Sequence, residues 1–254
     1  MTPLLEARDL AVGHGRKALI RGVDLQVPPG RVLCVLGPNG AGKTTLFHTL
    51  LGLIPPVAGA VMLGGAPLEQ WSRPRIAARL AHVPQALTSP FAFTALDIVL
   101  MGAAARLGPF ARPGRAETAR AMSALDRLGI AGLAASEIYR LSGGQRQLVL
   151  IARAIAQEAS ALIMDEPTAR LDFANRRQVG RAIRDLAREG CGTILSSHDP
   201  DHAAALADQV LLMGRVGVLA SGPAKDTMTE VNLSRLYGIG IKRQLSASGH
   251  LHFY

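Results

Sequence analysis

Gly37-Pro38-Asn39-Gly40-Ala41-Gly42-Lys43-Thr44-Thr45 fits the spacing G-x-x-x-x-G-K-[ST] of a phosphate-binding, or Walker A, loop. Its glycines let the backbone turn so that successive N–H groups converge on an anion. A helix starting there would add partial positive charge at the same point. Lys43 would reach the β- and γ-phosphates of a nucleotide, and the Thr44 hydroxyl would hold Mg2+. A second stretch, Asp165-Glu166, places two carboxylates after the apolar run Ala161-Leu162-Ile163-Met164. That is the Walker B arrangement: Asp165 would contact the metal, and Glu166 would polarise an attacking water. Alone, an Asp-Glu pair is usually a solvated strand end; beside a complete phosphate loop the chemical reading prevails. Nucleotide binding is therefore expected.

These groups need elements to hold them. Arg31–Leu36 reads as a buried strand ahead of the phosphate loop, and Thr44–Leu51 as the helix after it. Residues 4–30 alternate as an antiparallel β region closed by Pro28-Pro29-Gly30, and Gly59–Gly65 reads as a hairpin. Arg79–Gln85, Ser160–Met164, Gly192–Ser197, Val210–Met213 and Val216–Ala220 read as further strands. Helices are expected at Asn175–Glu189 and Asp201–Ala207. Between Phe93 and about Gln157 the pattern turns helical, with candidate helices at Ala116–Leu128 and Gly143–Ala156 and a Gly- and Pro-rich loop at 108–114 separating two pieces of the insert. Alternating strands and helices predict an α/β fold with a parallel sheet, interrupted by a helical insertion.

The composition limits the alternatives. The chain has 254 residues, 48% hydrophobic and 19% charged, which suits a folded protein with a sizeable core. No run approaches the ~18 apolar residues of a membrane span, and the N-terminus lacks the layout of a secretory signal, so membrane association is expected to be peripheral. Cys34 and Cys191 both fall in apolar, strand-like surroundings and read as small buried hydrophobes in a reducing compartment. The net charge of +9 invites a nucleic-acid reading, but the arginines are scattered and aromatics are only 4%, leaving little to stack on bases. No nucleic-acid partner is expected; nucleotide phosphates and an anionic membrane face account for the excess charge.

The most discriminating stretch is Leu141-Ser142-Gly143-Gly144-Gln145, a Ser and two glycines opening a helix. It resembles the signature motif of ABC (ATP-binding cassette) ATPases. The other pieces follow in that family's order: Gln85 matches its Q-loop glutamine, Ala169–Asp172 its D-loop and His198 its switch histidine. The resemblance spans residues 4 to about 225. It implies a single P-loop NTPase (RecA-like) domain with core at about 1–86 and 159–225, a helical subdomain at about 87–158 and a short extension at 226–254.

It also implies a mechanism. Two copies would close head to tail over two ATP molecules, with Gly37–Thr45 of one chain facing Ser142, Gly143, Gly144 and Gln145 of the other. Lys43, Glu166 and His198 would carry the catalysis, with Thr44, Gln85 and Asp165 around Mg2+. Two positions depart from the family. His14 stands where an aromatic ring usually stacks on adenine, offering less area, and Ala169 replaces the usual D-loop serine.

Segments such as Thr94–Gly102, Gly143–Ala154 and Asp165–Asn175 resemble the ATPase subunits of metal-chelate importers for iron–siderophores, haem or cobalamin, including a molybdate/tungstate branch whose tail resembles Gly249–Tyr254. The implied partners are a transmembrane permease and, through it, a periplasmic substrate-binding protein, at the cytoplasmic side of the membrane. Leu87, Phe91 and Phe93 read equally as a groove for the permease or as core. A DNA- or ribosome-acting relative would need a coiled-coil insertion or second cassette. A small-molecule kinase would lack Leu141–Gln145 and His198, and a non-catalytic sensor would be expected to lose Lys43 or Glu166.

Overall fold

The structure, a computed structural model, describes residues 2–15, 17–85, 91–108, 111–169, 171–245 and 251–254. Strands β1 (Leu5–His14) and β2 (Lys17–Val27) form an antiparallel pair, and β3 (Val32–Leu36) leads through the phosphate loop into α1 (Lys43–Leu50). Next come β4 (Ala58–Leu63), β5 (Ala66–Pro67), α2 (Arg73–Ala77) and β6 (Leu80–Val83). The helical insertion holds α3 (Ala95–Ala103), α4 (Arg115–Arg127) and α5 (Gly143–Ala156). The core resumes with β7 (Ala161–Met164), α6 (Phe173–Arg188), β8 (Gly192–Ser197), α7 (Pro200–Leu206), β9 (Gln209–Gly214) and β10 (Gly217–Pro223). Helices α8 (Ala224–Thr227) and α9 (Glu230–Tyr237) and strands β11 (Arg243–Leu245) and β12 (Leu251–Phe253) end the chain.

The main sheet has the order β10-β9-β3-β8-β7-β6, parallel throughout except for the β9–β10 pair at one edge. Every residue of β3, β7 and β8 is buried, as expected for parallel strands covered on both faces. Period-two alternation divides β3 between two cores. Leu33 and Val35 join Leu46, Phe47 and Leu50 of α1 and the second sheet, β2-β1-β4-β5. Cys34 and Leu36 pack instead in the core that includes Ile98, Val99, Leu125, Leu148 and Ile151 of the helical insertion. The expected hairpin turns at Gly64-Gly65, whose φ of 58° and 84° favour glycine.

The insertion is built for close packing. Thr94 caps α3 through a capping box with Asp97, and Ser142 does the same for α5 with Gln145. At the α3–α5 crossing a Cβ on Gly102 would lie 2.0 Å from the Arg153 backbone oxygen, so only glycine permits this approach.

Two expectations need correction. Cys191 precedes β8 and is half-buried, because the strand takes up its ladder only at Gly192. The segment beyond 225 is more than a short extension. Met228 and Leu233 are fully buried in the main core, and the β11–β12 hairpin packs against α7.

Candidate functional site

Strand β3 ends one residue before Gly37, where a Cβ would stand 2.0 Å from the Met213 carbonyl oxygen of β9. Gly40 and Gly42 take φ of 80° and 90°, the left-handed region that glycine enters without steric cost. Gly42 is the N-cap of α1 and brings no side chain to its leading N–H groups, which are left for an anion. Residues 39–45 line a cleft of ≈ 470 Å³ together with Leu19, Gln85, Asp165 and Glu166.

Inside that cleft the two motifs meet. The Lys43 ammonium, 6% exposed, donates to the carbonyls of Gly37 (2.8 Å) and Pro38 (3.2 Å) and lies 3.2 Å from Glu166 Oε1. Thr44 Oγ1 donates to Asp165 Oδ2 at 2.7 Å. Asp165 Oδ1 accepts from Ser196 Oγ, also at 2.7 Å, and the same Ser196 oxygen accepts the Glu166 N–H at 2.8 Å. Glu166 sits at φ 46°, an uncommon conformation for a residue with a Cβ. Its Oε2 lies 3.4 Å from both Gln85 Nε2 and His198 Nδ1. A carboxylate so placed, at the end of a buried strand, can accept a proton from a water in the cleft.

Thr44 and Asp165 offer hard oxygen donors at the position where the phosphate loop and β7 converge, a set suited to Mg2+ rather than to a soft metal. Among the described residues no three His, Cys, Asp or Glu side chains cluster as a metal cage. Near this site burial, then His48 and Arg153, lower His82 to about 4, so it is neutral at physiological pH. Burial pushes the Cys34 thiol up, which keeps it an inert core side chain.

Not every expected residue joins the cleft. Ser142, Gly143, Gly144 and Gln145 lie at the N-terminus of α5 and do not line it; Ser142 and Gly143 are exposed. His14, exposed at the end of β1, does not line it either, whereas Leu19 does. Ala169 is exposed and Asp172 caps α6, while Arg170 lies outside the described residues. Phe91 is 66% exposed and meets Phe93 edge-on at 5.7 Å, and Phe93 packs against the core. Phe93 thus belongs with the core and Phe91 does not; Leu87 lies outside the described residues.

Sequence reasoning missed Leu19 and Ser196. A Leu directly before Ile20, on the opposite phase of the β2 alternation, was the available signal for the first. For the second there was only its place two residues before His198.

The sequence profile of the ABC transporter family matches residues 20–169. A hemin import ATP-binding protein of Streptomyces coelicolor is 39% identical over 92% of this chain and 83% of its own length. The zinc transport system ATP-binding protein of Treponema pallidum is 36% identical over 97% of this chain and 91% of its own. An ABC transporter described as of metal-chelate type, solved in an inward-facing conformation, superposes with a TM-score of 0.86 at 33% identity. That superposition covers 99% of this chain and 97% of the other. The phosphate loop, the paired carboxylates and these relatives agree: the chain belongs to the ABC transporter family, as an ATP-binding and ATP-hydrolysing subunit of the importer type.

Proposed function

We propose that this subunit drives uptake of a metal or metal chelate, and that each of its hydrolytic sites is completed by a second copy. The observation that carries the site assignment is the Glu166 carboxylate, held beside Lys43, Gln85 and His198 at the mouth of the phosphate loop. Glu166 accepts the proton of the attacking water. His198 aligns the γ-phosphate end of the site, and Lys43 balances charge on the β- and γ-phosphates. Thr44, Asp165 and, nearby, Gln85 would hold Mg2+, which supplies charge neutralisation for the phosphates. Leu19 lines the cleft and offers the base an apolar surface, whereas His14, expected to stack on it, does not line the cleft.

The signature stretch supports a two-copy site. Ser142 to Gln145 form a helix N-terminus, exposed at Ser142 and Gly143, that does not line this chain's own cleft, which supports its meeting a γ-phosphate held by another molecule. Two such copies would bind a permease at the cytoplasmic face, with exposed Leu53, Phe91 and Met101 as apolar contacts, and a periplasmic binding protein would act through that permease. Among the described residues no helix is long and apolar enough to cross a membrane. Relatives named as the ATP-binding proteins of hemin import and zinc transport support a metal or metal-chelate cargo. The molybdate reading rests on the tail alone. Leu251–Phe253 of that tail is strand β12, and Gly249 and His250 lie outside the described residues.

Glu166→Gln tests the base assignment. The variant is expected to bind ATP and accumulate as a dimer on size-exclusion chromatography while losing turnover. Parental turnover would remove Glu166 from the role.

A further inference from the structure

The C-terminal segment reaches the active site from behind. Its helix α9 is anchored by Leu233, fully buried in the main core, and by Leu236 against Gly214 of β9. The last residue of that helix, Tyr237, donates its hydroxyl to the backbone oxygen of His198 at 2.9 Å. Burial pushes the Tyr237 phenol up, so at neutral pH it remains a protonated donor.

A second tether comes from β12. The Phe253 N–H donates to Asp201 Oδ1 at 2.8 Å, in the first turn of α7, and Phe253 packs against the same core. In the β11–β12 ladder Lys242 and Tyr254 exchange both backbone bonds, which turns the Phe253 N–H outward toward α7. Between these tethers, Ser197 Oγ accepts from the Asp199 N–H and Asp199 caps α7, with Arg176 at 3.6 Å from its carboxylate. The loop bearing His198 is therefore held from its own ends and from the C-terminal segment.

We infer that Tyr237 is a positioning residue for ATP hydrolysis: its hydrogen bond to the His198 carbonyl fixes the backbone from which the imidazole reaches Glu166. The inference rests on the role proposed above for His198. A side chain that is 49% exposed has little packing of its own to aim it, so its direction depends on the peptide that carries it. The Nδ1–Oε2 separation of 3.4 Å leaves little slack before contact is lost. Tyr237 does not line the phosphate-loop cleft and bonds to the His198 backbone instead, so it should influence the rate of the chemical step and leave ATP affinity alone.

The test compares Tyr237→Phe, which removes only the hydroxyl, with His198→Ala. ATP turnover is measured together with the His198 ring resonance in 13C NMR, identified by its loss in His198→Ala. Tyr237→Phe should lower kcat by about 3- to 10-fold, the range expected for losing one net hydrogen bond. The KM for ATP should stay within about twofold, and the His198 resonance should move. An unchanged kcat, or a lower kcat with an unmoved His198 resonance, would overturn the inference. Parental turnover in His198→Ala would instead remove the histidine role beneath it. If Tyr237→Phe unfolds at the assay temperature, Asp201→Ala serves, because it removes the acceptor of the Phe253 N–H without touching α9 or the packed Phe253 ring. It should lower kcat in the same sense, and parental kcat there would count against the tethered loop.

Discussion

Replacing Ser196 by alanine removes one oxygen that joins the two carboxylate-bearing residues of the site. That oxygen donates to Asp165 at 2.7 Å and accepts the Glu166 N–H at 2.8 Å, in a side chain 1% exposed. Losing a hydrogen bond to a buried carboxylate costs about 1.5–3 kcal/mol, and orphaning a backbone N–H costs about 1–3 kcal/mol. Glu166 lies at the cleft, where water can partly satisfy its N–H, so the second cost falls at its low end. The sum is about 3 kcal/mol of folding stability. Activity should fall further than stability alone requires. Glu166 holds φ 46° against its preference, and the Ser196 hydrogen bond is one of the contacts that fixes it there. Displacing a base by ~1 Å can cost ~100-fold in rate. Urea unfolding and steady-state ATPase assays on Ser196→Ala read both effects. A variant within about 0.5 kcal/mol of the parent, with parental kcat, would refute this reasoning.

Other outcomes follow from the same geometry. Gly102→Ala puts a methyl 2.0 Å from the Arg153 carbonyl, so α3 and α5 must separate; a loss of about 3 kcal/mol in thermal or urea unfolding is expected, and parental stability would contradict the close crossing. His82 is lowered from near 6.5 to about 4, chiefly by burial, so the unfolded chain binds the proton more readily between those values. Its contribution, on the order of 3 kcal/mol, is complete above pH 6.5 and lost as pH falls toward 4. Replacing His82 by Gln should therefore flatten the stability profile across that window, and an unchanged slope would exclude His82 as its source.

Much of the site is legible in the chain because its chemistry demands rare residue types at fixed spacing. Gly40 and Gly42 need positive φ, Gly37 needs the space beside Met213, and Lys43, Asp165 and Glu166 need charge at defined points. The strands are legible for a simpler reason: β3, β7 and β8 are buried on both faces and read as continuous apolar runs. Ser196 and Tyr237 are ordinary residue types whose meaning comes from partners 30 and 39 positions away, and no local pattern encodes such contacts. The C-terminal segment was hidden because its helices are short and its strands have three residues each, while Val231, Ile239 and Leu245 are exposed and blur any amphipathic period. The strand Gly192–Ser197 was legible, but Cys191, in apolar surroundings just ahead of it, gains no ladder partner and is only half-buried.

The central claim is that each hydrolytic site takes its phosphate loop from one chain and its signature from another. Complementation tests it most directly. Lys43→Ala removes the phosphate-loop cation, and Gly144→Asp sets a negative charge in the first turn of α5, where a helix tolerates it but a γ-phosphate would not. Each variant alone should lack ATP turnover, while mixing the two should restore part of it. In a mixed dimer one site pairs the intact loop of the Gly144→Asp chain with the intact signature of the Lys43→Ala chain. No recovery on mixing variants that have been shown to associate, or parental turnover by Gly144→Asp alone, would contradict the shared site.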